Sequence, residues 1–467
     1  MKRGASPRDR KIVVLDDDPT GVQTVHDVSV YTGWDLESIR EGFAEENNMF
    51  YILTNSRGLT REETKAVHEE IIARLNAVSE ECRKEYLVIS RSDSTLRGHY
   101  PLETEILRSG YEKHTGRKVD GEILCPFFME GKRRTVQNVH YVQEGSRWIP
   151  AHQTEFAADK TFGYTAPTLP LYIEEKTKGA YPASGVLCIS LEELREKGPE
   201  YVAQKLLTVA DFGKVVVNAV DYNDLEIFVS ALYHAMEMGK VFLFRSAASL
   251  VKVLGGIEDR PLLTGEEMGV GKNGNGGLLV AGSHTEKTTR QLEALRQMDG
   301  IVFAELDASL VGDASAFERE IERCVRFEEE NIKKGKTVCC YTSRGLICAD
   351  TKDREDELRL SRRISEGVQA LAGRLTAVPS FVIAKGGITS SDVGIKALNV
   401  RKATVLGQIE PGVPVWLTGE ESRFPGIPYV IFPGNVGEED TLRKALERLQ
   451  GKADGRLHAE SNILSIS

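Results

Sequence analysis

Short apolar runs rich in valine, isoleucine and tyrosine recur through the first half of the chain: KIVVLD (11–16), MFYILT (49–54), EYLVIS (85–90), GEILCPFF (121–128), KVVVNAV (214–220) and KVFLFR (240–245). Each run is continuous rather than alternating, which is the pattern of a strand buried on both faces. Amphipathic stretches lie between several of them. In TREETKAVHEEIIARLNAVSE (60–80), Thr60 and Glu63 have the spacing of a capping box ahead of apolar residues at helical intervals. Strand and helix alternate, so the chain predicts an α/β fold with a largely parallel sheet.

The periodicity lapses over residues 251–276, which end in a Gly/Asn cluster, and then restarts. GLLVAGS (277–283), KTVCCYTS (336–343) after a charged helix over about 314–334, SFVIAKGGITSSD (380–392) and PYVIFPGNVG (428–437) form a second set. The expected organisation is therefore an N-terminal domain over 11–250, a linker over 251–276 and a C-terminal domain over 277–467. Each would be a mostly parallel sheet flanked by helices, with an active-site cleft between them. A length of 467 residues agrees, since single cores seldom organise more than roughly 300 residues.

Composition narrows the classes. The net charge of -10 disfavours nucleic acid as the main partner. No apolar stretch approaches the roughly 20 residues of a membrane helix, and MKRGASPRDR lacks the apolar segment of a signal peptide, so a cytoplasmic location is expected. Seven cysteines without a C-x-x-C pair, and nine scattered histidines, give no structural metal site.

Ligands of parallel sheets gather beyond the carboxyl ends of the strands. The polar clusters stand there. Asp16, Asp17 and Asp18 end the first run, Pro19 and Thr20 follow, and Gly21 allows a tight turn. Three adjacent carboxylates serve as a solvated turn, bind polyol hydroxyls, hold a divalent cation, or supply a general base. The third run leads into SRSDSTLRGHYPLE (90–103), where Arg91 and Arg97 suit an acidic substrate through the planar guanidinium fork. Lys132, Arg133 and Arg134 follow the fourth run and, taken alone, read as a basic turn. In the second half AGSHT (281–285), KGGITSSD (385–392) and PGNVG (433–437) each follow a strand and precede a helix. Backbone amides in such loops suit phosphate oxygens. Neither a Walker-type nor a dinucleotide-type glycine motif occurs at a strand end.

DDDPTG, RSDSTLRG, GSHTEKTTRQ, AKGGITSSD and FPGNVG, in this order from about residue 11 to 450, resemble the four-carbon acid sugar kinase family. The resemblance implies an ATP-dependent kinase acting on the terminal hydroxyl of a 3-oxo-tetronate, threonate or erythronate, with the sugar acid on the N-terminal domain and ATP, accompanied by Mg2+, on the C-terminal one. It places catalysis on Asp17 and Asp18. Substrate contacts fall on Asp16, Thr20, Arg91, Ser92, Asp93, Ser94, Arg97 and Arg134, with Thr95 and Gly98 in the same motif. Nucleotide contacts fall on Ser283, Gly386, Gly387, Ile388, Thr389, Gly434 and Asn435; no metal ligand is assigned. The chain departs from many members at Ile388, where they have an acidic residue, and at Phe432 and Val436, where they have Lys and Phe. The sugar acid and ATP are the expected partners, with nucleic acid and membrane excluded and a homo-oligomer left open.

Two other readings remain at this stage. Asp16-x-Asp18-x-Thr20 with ILTNS (52–56) also matches a haloacid-dehalogenase-like phosphatase, in which Asp16 is the nucleophile and Asp221 and Asp224 the late acidic pair. A sugar-acid sensor that binds nucleotide without turnover is the third.

Overall fold

A computed structural model describes residues 9–282, 285–343, 354–434 and 436–451. The chain divides into two compact units between Asp259 and Arg260.

In the N-terminal unit the expected buried runs are strands. These are β1 (Lys11–Asp16), β2 (Val28–Tyr31), β3 (Met49–Leu53), β4 (Tyr86–Arg91) and β5 (Gly121–Cys125). A three-stranded antiparallel meander follows, β6 (Arg133–Val136), β7 (Val139–Glu144) and β8 (Arg147–Pro150), and then β9 (Leu187–Ile189), β10 (Gly213–Val217) and β11 (Phe242–Ser246). The main sheet runs in the order β2-β3-β1-β4-β11-β5-β10-β9, every neighbouring pair parallel. All six residues of β1 are buried, as its unbroken apolar run requires. Helices α1 (Leu36–Ala44), α2 (Arg61–Cys82), α3 (Leu102–Thr115), α4 (Leu169–Lys176), α5 (Gly198–Leu207), α6 (Tyr222–Glu237) and α7 (Ala248–Gly255) connect the strands. The Thr60/Glu63 capping box at the start of α2 is formed, with both reciprocal hydrogen bonds present.

The C-terminal unit contains β12 (Leu278–Ala281), β13 (Ile301–Leu306), β14 (Thr337–Thr342), β15 (Val382–Lys385), β16 (Lys402–Glu410), β17 (Val413–Thr418) and β18 (Pro428–Phe432). Its order is β13-β14-β12-β15-β18-β17-β16, parallel up to β18 and antiparallel beyond. The helices are α8 (Glu286–Leu295), α9 (Ala314–Lys333), α10 (Arg354–Gly373), α11 (Gly387–Asp392) and α12 (Thr441–Leu449).

Two features of the segment 251–276 emerge. Its first five residues complete α7, and the Gly/Asn cluster at its end packs on the C-terminal unit, where Asn273 and Asn275 donate to the Val378 carbonyl at 3.1 and 2.8 Å. Several strands missed by the sequence pattern are short or patterned differently, although β17 is a six-residue, largely buried run. β16 alternates between buried and half-buried positions, a period-2 pattern that a search for continuous apolar runs passes over.

Candidate active site

In the N-terminal sheet the ends of β3, β1, β4 and β11 lie side by side. Asp16 is in register with Leu53 and Arg91, and Arg91 with Ser246. The chain lays β2 and β3 on one side of β1 and then crosses to β4 on the other, so the end of β1 is a topological switch point, where such sheets bind ligands.

The three aspartates take three different environments there. Asp16 closes β1 at 1% exposure and accepts from Arg91 Nη1 at 3.1 Å. Burial pushes its pKa up to about 7; Arg91 opposes the rise while Asp17 and Asp18 add to it. A proton on this carboxyl near neutrality relieves the crowding of like charges. Asp17, 4% exposed, is gripped by Arg57, with Nη2 at 2.6 Å from Oδ1 and Nε at 3.2 Å from Oδ2. Ser92 Oγ donates to Oδ2 at 2.9 Å and Arg91 lies 3.6 Å away. Burial alone would raise the Asp17 pKa, but Arg57, Arg91 and Arg245 outweigh it and hold the carboxyl below its ordinary value. Asp18 caps the turn Pro19–Val22: Oδ1 accepts the Thr20 N–H at 2.8 Å and its hydroxyl at 2.5 Å, and Oδ2 faces Arg57 Nη1 at 3.3 Å. With 16% side-chain exposure it is the most open of the trio.

Gly21 serves close approach. A Cβ there would lie on the Asp16 carboxylate. Gly21→Ala is therefore expected to dislodge Asp16 from Arg91 and lower stability by about 1–3 kcal/mol, the usual range for overpacking. Urea denaturation of the variant measures this, and an unchanged midpoint would show that the carboxylate relocates freely.

After β4, Asp93 accepts from Arg97 Nε at 2.6 Å and from the Thr95 hydroxyl. Burial opposes its ionisation, yet Arg57 and Arg97 hold its pKa well below the carboxylate range. Arg97 also packs over the Phe156 ring, 5.0 Å from its centroid. Ser94 is buried, and its carbonyl lies 2.8 Å from His140 Nε2. Gly98 has φ of +119°, and a Cβ there would stand 2.7 Å from Arg245 Nη2 and 3.4 Å from Asp17 Oδ2. The close approach that this glycine permits is thus to side chains of the cluster itself.

Two arginines of the cluster were not singled out by sequence. Arg57 follows β3, and Arg245, in β11, bonds Ser90 Oγ at 3.2 Å, the Arg97 carbonyl at 3.2 Å and the Glu103 carboxylate. Arg57 lies three residues beyond MFYILT and Arg245 ends KVFLFR, so each stands at the end of an apolar run, but only the strand order brings them to the aspartates. The basic turn proves to be the start of β6, and its two arginines part company. Arg134 stacks 3.6 Å over the Trp148 ring and makes no contact with the aspartates among the described residues. Arg133, 8% exposed, is the group within electrostatic reach of Asp93 and Arg97. Burial lowers its pKa, Nη1 is bonded to the Gly131 carbonyl, and Nε has no partner among the described residues. Arg57, Arg91, Arg97 and Arg245 each pair with a carboxylate, whereas Arg133 pairs with none among the described residues.

The phosphatase reading fails on this geometry. Asp16 is 1% exposed, lies against Gly21 and is bound to Arg91, which is not the accessible carboxylate that a nucleophile requires. Asp221 and Asp224 form a capping box on α6 and pair with Arg195.

In the C-terminal unit the adjacent strands β12, β15 and β18 deliver the small-residue loops to one place. A cavity of about 380 Å³ is lined by Gly282, Gly386, Gly387 and Gly434 and by Ile364 and Val368 of α10. Thr389 lines it, and Ile388, 78% exposed, sits at its edge. Ser283 and Asn435 lie outside the described residues. A glycine-walled hollow with an apolar side fits the phosphates and base of a nucleotide. Among the described residues no group of three or more His, Cys, Asp or Glu could hold a metal ion, and no helix is long and apolar enough to cross a membrane.

None of the curated proteins compared matches the chain. Among the solved structures that share its fold are two from bacteria. One, provisionally described as a tRNA synthase from Salmonella typhimurium LT2, is 16% identical with a TM-score of 0.67, covering 93% of this chain and 98% of that one. The other, Haemophilus influenzae protein HI1011 of the DUF1537 family, is 18% identical with a TM-score of 0.60, covering 94% and 100%. Residues 12–254 match the family model of a sugar-binding N-terminal domain, and residues 278–442 that of a nucleotide-binding C-terminal domain. With both domains present in order and the motifs of each in place, the chain belongs to the four-carbon acid sugar kinase family.

Proposed function

We propose that the protein is an ATP-dependent kinase that phosphorylates the terminal hydroxyl of a four-carbon sugar acid of the 3-oxo-tetronate, threonate or erythronate type. The observation that carries this reading is the carboxylate trio at the switch point of a sugar-binding domain, with two members locked by arginines and the third left open. Phosphoryl transfer asks of a protein mainly positioning and charge neutralisation. ATP, when bound with magnesium, supplies the phosphoryl group.

The chain's own groups take the remaining roles. Asp18 orients the acceptor hydroxyl and takes its proton, because Asp17 is buried and committed to Arg57 whereas Asp18 is the most open of the three. Asp93 and Arg97 line the polyol side. Arg133 receives the acid's carboxylate, since it is a buried guanidinium that pairs with no carboxylate among the described residues. Charge-assisted hydrogen bonds contribute about 1.5–3 kcal/mol, so Arg133→Met is expected to raise KM for the acid roughly ten- to a hundredfold with a much smaller change in kcat. Arg134→Met serves as the comparison and leaves KM near wild type. Equal effects of the two substitutions would remove Arg133 from this role.

The decisive experiment is coupled ADP release against a panel of four-, five- and six-carbon sugar acids. ADP formation that depends on one acid establishes the reading. Tight binding of acid and nucleotide without ADP across the panel would favour the sensor instead.

A further inference from the structure

One lysine beneath the glycine loops of the C-terminal unit has no part in the chemistry above. Lys385 ends β15 and is fully buried. Its Nζ donates to the carbonyl oxygens of Pro433 at 2.8 Å and Gly434 at 3.4 Å, and lies 4.5 Å from the Phe432 ring centroid. Lys385 is in register with Phe432, whose carbonyl accepts the Gly386 N–H at 2.8 Å. The loop after β15 and the loop after β18 are thus joined at two adjacent points, one of them a charged side chain.

That charge has no partner of opposite sign. Among the described residues no carboxylate pairs with Lys385; burial lowers its pKa to about 7, and Lys287 on α8 adds to the lowering. Of the acidic groups on neighbouring elements, Asp392 of α11 is committed to Ser365, Gln369 and Lys396. Beyond the β18 loop, Glu439 pairs with Arg290 of α8. A buried ammonium satisfied only by carbonyls is unfavourable until an anion comes near. The cavity lined by Gly386, Gly387 and Gly434 is where an anion would sit.

We propose that Lys385 is a positioning residue of the phosphate site: when charged it clasps the Pro433–Gly434 and Gly386–Gly387 segments in the form that receives a nucleotide's phosphates, and the bound phosphates supply its counter-charge. This rests on the nucleotide reading of the cavity. The sign follows from linkage. Lys385 deprotonates above about pH 7 in the free protein, an anion favours the protonated form, and binding therefore takes up a proton and weakens as pH rises through 7.

The test is calorimetric titration of the full chain with ADP and magnesium between pH 6 and 9, using wild type, Lys385→Met and Lys385→Arg. Beyond ADP's own titration, which all three share, wild-type affinity is expected to fall by up to about tenfold per pH unit above 7. Lys385→Met should bind at least tenfold more weakly at pH 6 without that extra slope. Lys385→Arg should recover the pH 6 affinity and lose the slope. If the methionine variant does not fold, proton uptake by wild type at pH 8, compared in Tris and HEPES and against the arginine variant, gives the same answer. Wild-type affinity and slope in the methionine variant would overturn the proposal, as would an unchanged slope in the arginine variant, which would leave Lys385 a structural pin. Absence of ADP binding by wild type at every pH would instead sink the kinase reading, and this inference with it.

Discussion

Replacing Asp18 by Asn is expected to lower kcat at least a hundredfold while changing KM for the sugar acid little. The amide oxygen keeps the hydrogen bonds from Thr20, so the turn Pro19–Val22 stays capped, while the 3.3 Å contact of Oδ2 with Arg57 is given up. What it loses is the ability to take a proton, and general-base contributions run to roughly a hundred- to ten-thousandfold. Asp17→Asn is the necessary comparison. Asp17 is buried and anchors Arg57 and Ser92, so its replacement should reduce stability along with activity, whereas Asp18→Asn should leave the unfolding midpoint near wild type. Steady-state kinetics and urea denaturation on both variants separate the roles. Full turnover in Asp18→Asn would return the base to Asp17 or show that none is needed.

The strand ends were legible in the sequence because buried parallel strands leave unbroken apolar runs, and polar residues clustered after such a run can only be at its end. Asp16–Asp18, Arg91–Asp93 and Gly386–Gly387 were found in this way. Arg57 and Arg245 were not, although they neutralise the site, because each stands nearly alone after or within its strand and looks like any other charged residue until β3 and β11 are known to flank β1 and β4. Strand order is a long-range property, and no local pattern encodes it. The same limit explains the two arginines of RRT. Adjacent strand residues point to opposite faces, so one of Arg133 and Arg134 must leave the cluster, but which one depends on the pairing of β6 with β7. Gly21 shows the converse: its presence in DDDPTG was plain, yet the carboxylate it makes room for became visible only in three dimensions.

Arg57→Met is expected to cost about 3–5 kcal/mol, the range for breaking a buried ion pair from one side. The guanidinium spans Asp17 and Asp18 and lies close enough to Asp93 to lower its pKa, so its removal leaves these three carboxylates to Arg91, Arg97 and Arg245. The pH dependence identifies the cause. Asp17 has a folded-state pKa below its unfolded value, so its contribution to stability is present above about pH 4 and is lost as pH falls through the folded value. In the variant that depression is relieved. The gap between wild type and Arg57→Met should therefore be widest near neutrality and narrow below pH 4, which denaturation at a series of pH values will show. Asp17→Asn added to Arg57→Met should recover part of the loss, because an amide tolerates burial without a cation. Arg57→Lys should not, since an ammonium cannot reproduce the two-point contact with Asp17 at 2.6 and 3.2 Å. A gap independent of pH would mean that lost packing, and not the charges, sets the stability of the site.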